Sequence, residues 1–249
     1  MTTTIEPMHE LFFVRLFAYS IIPLLLACAH LLLDRRARPP ARRIELFTVY
    51  LLAISVGASG LGGAFGHLFL SDLIAQGVGW GVGSPFQLEM GFANLALGIL
   101  GIMAISRRDG FRTATIVAVT VLGVGATIVH MIDIAATGNL APGNTVQNLG
   151  NLLDPVLLIV LAWLAGRHAT GAADPAGDRW HRQVETVAGM AAAGVGIGFG
   201  VGYAVDALLL WTVIGVLAGV AMGVLLNRRS SVEPEESVVG DFPHAKPQS

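Results

Sequence analysis

The sequence predicts an all-α protein, a polytopic bundle of about seven transmembrane helices with its N-terminus outside and its C-terminus in the cytoplasm. Three observations lead there. Of the 249 residues, 54% are hydrophobic and only 13% are charged, whereas an ordinary soluble domain carries roughly 25% charged residues. Several apolar runs reach the roughly 20 residues that a helix needs to cross the hydrocarbon layer. The cations are confined to alternate connectors, as expected when arginine and lysine stay on the cytoplasmic side. Every Lys and Arg except Arg15 lies in segments 34–43, 106–112 and 167–183 or in the C-terminal segment, and segments 71–87, 137–148 and 203–206 hold none. Six or eight crossings would break that alternation.

Helix one is expected over 11–33. The preceding MTTTIEPMHE is polar and acidic, unlike the basic start of a secretory signal, so the helix reads as uncleaved. Leu25-Leu26-Ala27-Cys28 resembles a lipobox that would make Cys28 a lipidated N-terminus. Glu6 and Glu10 in the leader, and an apolar run continuing through Leu33 into arginines, favour the transmembrane reading. A lone cysteine excludes an intrachain disulfide or a cysteine metal cluster. The run DRRARPPARR at 34–43 could address nucleic acid, but between two apolar spans it reads as a cytoplasmic loop, and no nucleic acid partner is expected.

Helices two to five are expected over 44–70, 88–105, 113–136 and 149–166. The apolar stretch 184–226 is too long for one crossing and breaks near 203–206 into helices six and seven. The chain thus divides into 1–43 (helix one and a basic loop), 44–166 (a four-helix membrane core), 167–183 (a cytoplasmic loop), 184–227 (a glycine-rich helical hairpin) and 228–249. The last segment is polar and proline-bearing, with too little apolar surface to offset ordering entropy, and reads as a disordered tail. Glycines at four-residue spacing, Gly62 with Gly66, Gly194 with Gly198 and Gly202, and Gly215 with Gly219 and Gly223, line single helix faces for close backbone packing. The last set serves either packing of helix seven on helix six or a homodimer or membrane-complex interface. The first use is preferred.

The polar residues gather at the end of the bundle opposite the arginines. His67 closes helix two, and Gln87 and Glu89 open helix three with Asn94 further in. His130 and Asp133 share a face of helix four at i, i+3. Asn148, Asn151 and Asp154 form a stripe on helix five. Ionisable groups within membrane helices are expensive and by default functional, so His67, Glu89, Asn94, His130, Asp133, Asn151 and Asp154 are the candidate ligand-binding residues. Glu89 points about 140° away from Asn94 and need not share their pocket. The bland alternatives are helix caps for Glu89, Gln87 and Asn148, an interfacial anchor for Trp80 and, for Arg15, a snorkelling side chain or a partner of Glu10. Helices two and three also echo helices four and five, each pair carrying an outer histidine followed by an aspartate, as in a parallel repeat.

Trp80, Gly83-Ser84-Pro85-Phe86-Gln87, Glu89 and Ala93-Asn94-Leu95, with a second patch from Asn139 through Asn144 to Asp154, resemble the signature of an uncharacterised group of small bacterial membrane proteins, distantly similar to DoxX-like proteins. The resemblance covers residues 57–166. It implies a four-helix core with added helices and supplies no activity; DoxX-like proteins themselves are four-helix membrane proteins tied to redox or respiratory partners. The expected location is the bacterial plasma (inner) membrane.

Three functions follow as expectations. The first is an outward-facing polar pocket that binds or transports a small polar molecule or cation. The second is a membrane-embedded redox or metal- or haem-dependent enzyme subunit, with His67 and His130 as metal ligands. The third is a structural subunit of a membrane complex. No cofactor is required by the sequence. The glycine-rich VGIGFGVG of helix six lacks the strand-turn-helix setting of a nucleotide fingerprint, and no P-loop, HExxH or CxxC occurs.

Overall fold

Seven helices long and apolar enough to cross a membrane make up the computed structural model, which describes residues 5–168 and 175–230. Helices one to seven are Glu10–Leu33, Pro40–Phe69, Phe86–Ala104, Gly110–Thr137, Pro142–Arg167, Asp178–Ala204 and Leu208–Arg229. No strand occurs among the described residues. The expected tail beyond 230 and part of the loop before helix six lie outside them.

Two boundaries differ from the sequence expectation in a way that shapes the site. Helix five begins at Pro142 rather than near 149. A proline lacks only an amide that a first turn leaves unpaired anyway, and the Asn139 side chain accepts the Ala141 N–H at 3.1 Å. Within the connector 71–87 a further helix forms, Ser71–Val78, with Asp72 in its first turn and Ala75, Gly77 and Val78 buried. It stops at Gly79, whose φ of 78° lies in the left-handed region that favours glycine.

Helices one and two each contain a widened π-helical segment, Phe17–Ile21 and Leu51–Ala58. These shift the register of the side chains beyond them and often mark functional sites. The two segments meet, and the Ser55 hydroxyl donates to the Tyr19 carbonyl at 2.6 Å. The middle of helix two is the most buried part of the chain: Leu51, Leu52, Ala53 and Ile54 are all fully buried. Around it pack Ala18 and Ile22 of helix one and Val184, Ala188 and Val195 of helix six, so the core takes in these helices as well as helices two to five.

Glycines set the closest helix contacts. A Cβ on Gly60 would lie 2.6 Å from Gly98 Cα, and one on Gly101 would lie 2.6 Å from Gly57 N. Helices two and three therefore meet through these residues, not through the expected Gly62 and Gly66. Helices six and seven interlock more tightly still, Gly194 against the Gly215 carbonyl, Gly219 against the Met190 carbonyl and Gly223 against Val187. Helix six thus packs on the face of Gly215, Gly219 and Gly223, the use that the sequence reading prefers over a homodimer or membrane-complex interface.

At the arginine end, charged pairs join the helices. Glu45 of helix two accepts from Arg108 at 2.9 Å and from Arg112 at 2.7 Å. Arg108 also pairs with Glu185 of helix six, and Arg112 caps the free carbonyls of Ala104 and Ile105 at the end of helix three. Asp34, in the first loop, accepts the Trp180 indole at 3.0 Å and the Arg36 guanidinium at 2.9 Å. Partial burial pushes the Asp34 carboxyl up, but the bonds from Arg36 and Trp180 outweigh it and hold it below the ordinary carboxylate range. A carboxyl held low in the folded state contributes stability that is complete above its unfolded value, about 3.9, and is lost as pH falls through the folded value. The Tm of the protein should therefore drop on acidification below about pH 4, and Asp34→Asn should flatten part of that drop. An identical acid profile in the variant would show that the carboxylate adds nothing.

Candidate functional site

The connector end is held by one carboxylate. Asp133 Oδ2 accepts from the Trp80 indole at 3.0 Å, from Asn139 Nδ2 at 2.8 Å and from Asn144 Nδ2 at 2.9 Å. Because an ionised carboxylate only accepts, the Asn144 amide must turn its NH2 toward Asp133. Its oxygen then faces His130, 2.6 Å from Nδ1, so His130 carries its hydrogen on Nδ1. The same Asn144 NH2 reaches the Asn139 carbonyl at 2.8 Å, and Asn139 reaches the Val78 carbonyl at 2.9 Å. Trp80 stacks on His130, with ring centroids 5.2 Å apart and planes inclined by 20°. The latch thus ties helix four, the first turn of helix five and the end of the connector helix into one unit.

A second histidine repeats the arrangement. His67 Nδ1 lies 2.7 Å from Gln87 Oε1, so in both halves the histidine reaches an amide in the first turn of the next long helix. The aspartates of the expected echo do not correspond in the same way: Asp72 accepts only the Gly83 N–H at 3.3 Å among the described residues, while Asp133 Oδ2 holds three side chains.

Below the latch lies a cavity of about 690 Å³. Helix one lines it with Phe12, Arg15, Tyr19 and Ser20, and helix five with Gln147, Asn151 and Asp154. His67, Gln87, Asn94 and His130 complete its polar lining together with Ser55, Ser59 and Trp80, while Met90, Leu97, Val121 and Val129 form an apolar side. Trp80, Phe86 and Gln87 also line a smaller pocket of about 390 Å³ at the connector surface, and so separate an outer vestibule from the inner space.

Five of the seven candidate residues, His67, Asn94, His130, Asn151 and Asp154, therefore share one cavity. Two do not. Asp133 belongs to the latch, and Glu89 is exposed in the first turn of helix three, outside the lining. Although His67 and His130 both line the space, no group of three His, Cys, Asp or Glu able to hold a metal occurs among the described residues.

Two ionisable groups in the cavity stand apart. Asp154 is buried, and its Oδ2 accepts from Ser20 at 3.0 Å, but Oδ1 has no hydrogen-bond partner among the described residues. The next residue is Pro155, which cannot donate to the Asn151 carbonyl one turn back, and Gly123 of helix four packs against that carbonyl. Arg15 makes no hydrogen bond or ion pair among the described residues. A Cβ on Gly63 would lie 3.5 Å from its guanidinium and 2.9 Å from Asn94 Oδ1, so cation and amide oxygen face the same glycine. A lone cation among membrane helices is costly.

Sequence reading underrated Arg15, Trp80 and Asn144. Arg15 carries the clearest signal, as the one cation outside the basic segments. Asn144 could have been found only by extending helix five back to Pro142, which places it on the inner face.

Seven apolar spans with a polar cavity at one end define a multi-pass helical membrane protein. The chain belongs to the family of unknown function DUF6790, whose model matches residues 13–171. Every polar residue that lines the cavity falls within that stretch, which includes helix one as well as helices two to five. The match supports an uncharacterised family and adds nothing on the likeness to DoxX-like proteins. No curated protein and no solved structure matches the chain.

Proposed function

We propose that the protein sits in the bacterial plasma membrane, N-terminus outside, and binds a small organic anion in this cavity, as a receptor or as one step of transport. The observation that carries the reading is Arg15. A guanidinium with no hydrogen bond or ion pair among the described residues, beside His67, Asn94 and Gln87 in a cavity roomy enough for a small molecule, favours a ligand that brings the missing negative charge. It argues against a simple cation as cargo. Asn94, Asn151 and Gln147 supply orienting amides, and the unpartnered Asp154 Oδ1 accepts a hydroxyl or amine of the ligand. The latch of Asp133, Asn144, His130 and Trp80 is satisfied internally, which supports a structural role for those groups in holding the vestibule wall.

The test uses full-length protein in phosphatidylcholine nanodiscs titrated with benzoate. Binding should be saturable, weaken about tenfold in Arg15→Gln, as a lost charge-assisted contact implies, and persist in Arg15→Lys. Failure of the wild-type protein to bind benzoate or any longer carboxylate overturns the reading.

A further inference from the structure

We infer that the ligand of this cavity is a carboxylate-headed amphiphile that enters from the bilayer, through a lateral opening between helices three and four. The inference rests on the anion-binding reading above and adds the ligand's apolar body and its route.

Val121, Gly125 and Val129 are spaced by four and so share one face of helix four. All three line the cavity, yet Val121 is 68% and Val129 51% exposed, and a Cβ added to Gly125 would meet nothing within 4 Å. Across the space, Met90, Asn94 and Leu97 share a face of helix three and line the same cavity. On this side the wall is thus two apolar helix faces with a gap between them. The outward flanks of both helices carry lipid-type residues, Phe92, Ile99, Ile128 and Ile132 among them, all exposed. The gap therefore opens where acyl chains lie.

Volume and depth fit the same class of molecule. The cavity holds about 690 Å³, room for roughly twenty waters at ~30 Å³ each, far more than a two-carbon anion fills. A short anion would leave the valine and leucine wall facing water. Arg15 lies five residues inside the candidate membrane span that begins at Glu10, about 7–8 Å along the axis, which suits a ligand whose charge sits just beneath the headgroup level. A carboxylate can take a two-pronged contact with the guanidinium there, and its chain can leave past Gly125 into the acyl layer.

The experiment compares binding of radiolabelled decanoate, decanol and benzoate to full-length protein in phosphatidylcholine nanodiscs, with empty nanodiscs subtracted for partitioning. Decanoate should bind at one site at least tenfold more tightly than either decanol or benzoate. Arg15→Gln should weaken decanoate about tenfold and leave decanol unchanged, and Arg15→Lys should restore most of the loss. Gly125→Trp, which fills the opening from an exposed helix face, should weaken decanoate about tenfold. If benzoate binds as tightly as decanoate, or if Gly125→Trp leaves decanoate binding intact, the amphiphile and its lateral route are overturned while anion binding stands. A dimer that Gly125→Trp dissociates would show that a second copy fills the gap, and would equally overturn the route. If none of the carboxylates binds the wild-type protein, both readings fall.

Discussion

Asn144→Ala should loosen the whole connector end and destabilise the protein by about 3 kcal/mol. The side chain is fully buried and joins three groups at once, facing His130 with its oxygen and Asp133 and the Asn139 carbonyl with its NH2. Alanine cannot replace either end, so the His130 N–H is left buried without its acceptor and Asp133 Oδ2 loses one of its three donors. Stranded buried donors and acceptors cost about 1–3 kcal/mol each. Trp80 reports the event, because its indole is fixed by Asp133 and stacked on His130; its fluorescence should shift toward that of a wetter, freer indole. Asp133→Ala should have a similar effect, and the double variant should be little worse than either single one, as expected of residues in one network. Fully additive losses would mean that these contacts are independent and that no latch exists.

Gly215→Val should open the hairpin of helices six and seven, with a loss of about 1–3 kcal/mol or more. A Cβ at Gly215 would overlap the Gly194 carbonyl, and Gly198 lies 2.8 Å away on the same side. Neither obstacle is the flexible end of a side chain, so the helix axes must separate, and Gly219 and Gly223 lose their close contacts with Met190 and Val187 as they do. Gly189, Gly196 and Gly200 make the controls, since a Cβ at any of them meets nothing within 4 Å. Alanine there should leave thermal stability unchanged or raise it by up to about 1 kcal/mol through helix propensity. Thermal unfolding of the four variants in one lipid system separates these outcomes. Were Gly215→Val to dissociate an oligomer without lowering stability, the glycine face would be an interface between copies after all.

Much of the bundle is visible in the chain itself. The break near 203–206 falls where helix six ends at Ala204 and helix seven starts at Leu208, because that short segment carries Asp206 with a φ of 55° between two uniformly apolar runs. The connector helix Ser71–Val78 is not legible in the sequence, since eight residues are too few for a helix to hold by itself until Ala75 and Val78 have a neighbour to bury against. The site is intermediate. The i, i+3 spacing groups His130 with Asp133, and both belong to the latch through Asn144, yet only His130 also lines the cavity. They lie on one helix face, and each takes the partner that the chain beyond helix four brings near. Glu89 lies outside the lining, on the side of helix three that the angle of about 140° between it and Asn94 points to.

Composition alone settles which segments are helices long enough to cross a membrane, since the length of an apolar run and the breaks within it are local properties. Only the packed bundle decides which polar side chains share a space. That outcome depends on how each helix is rotated, on two π-helical segments that reset the phase of helices one and two, and on glycines that let particular backbones touch. Arg15 shows the difference. Along the chain it is a lone cation near a helix end, and in the fold it faces His67, Asn94 and Asp154 across one cavity, because helix one is wedged against helix five with that side turned inward.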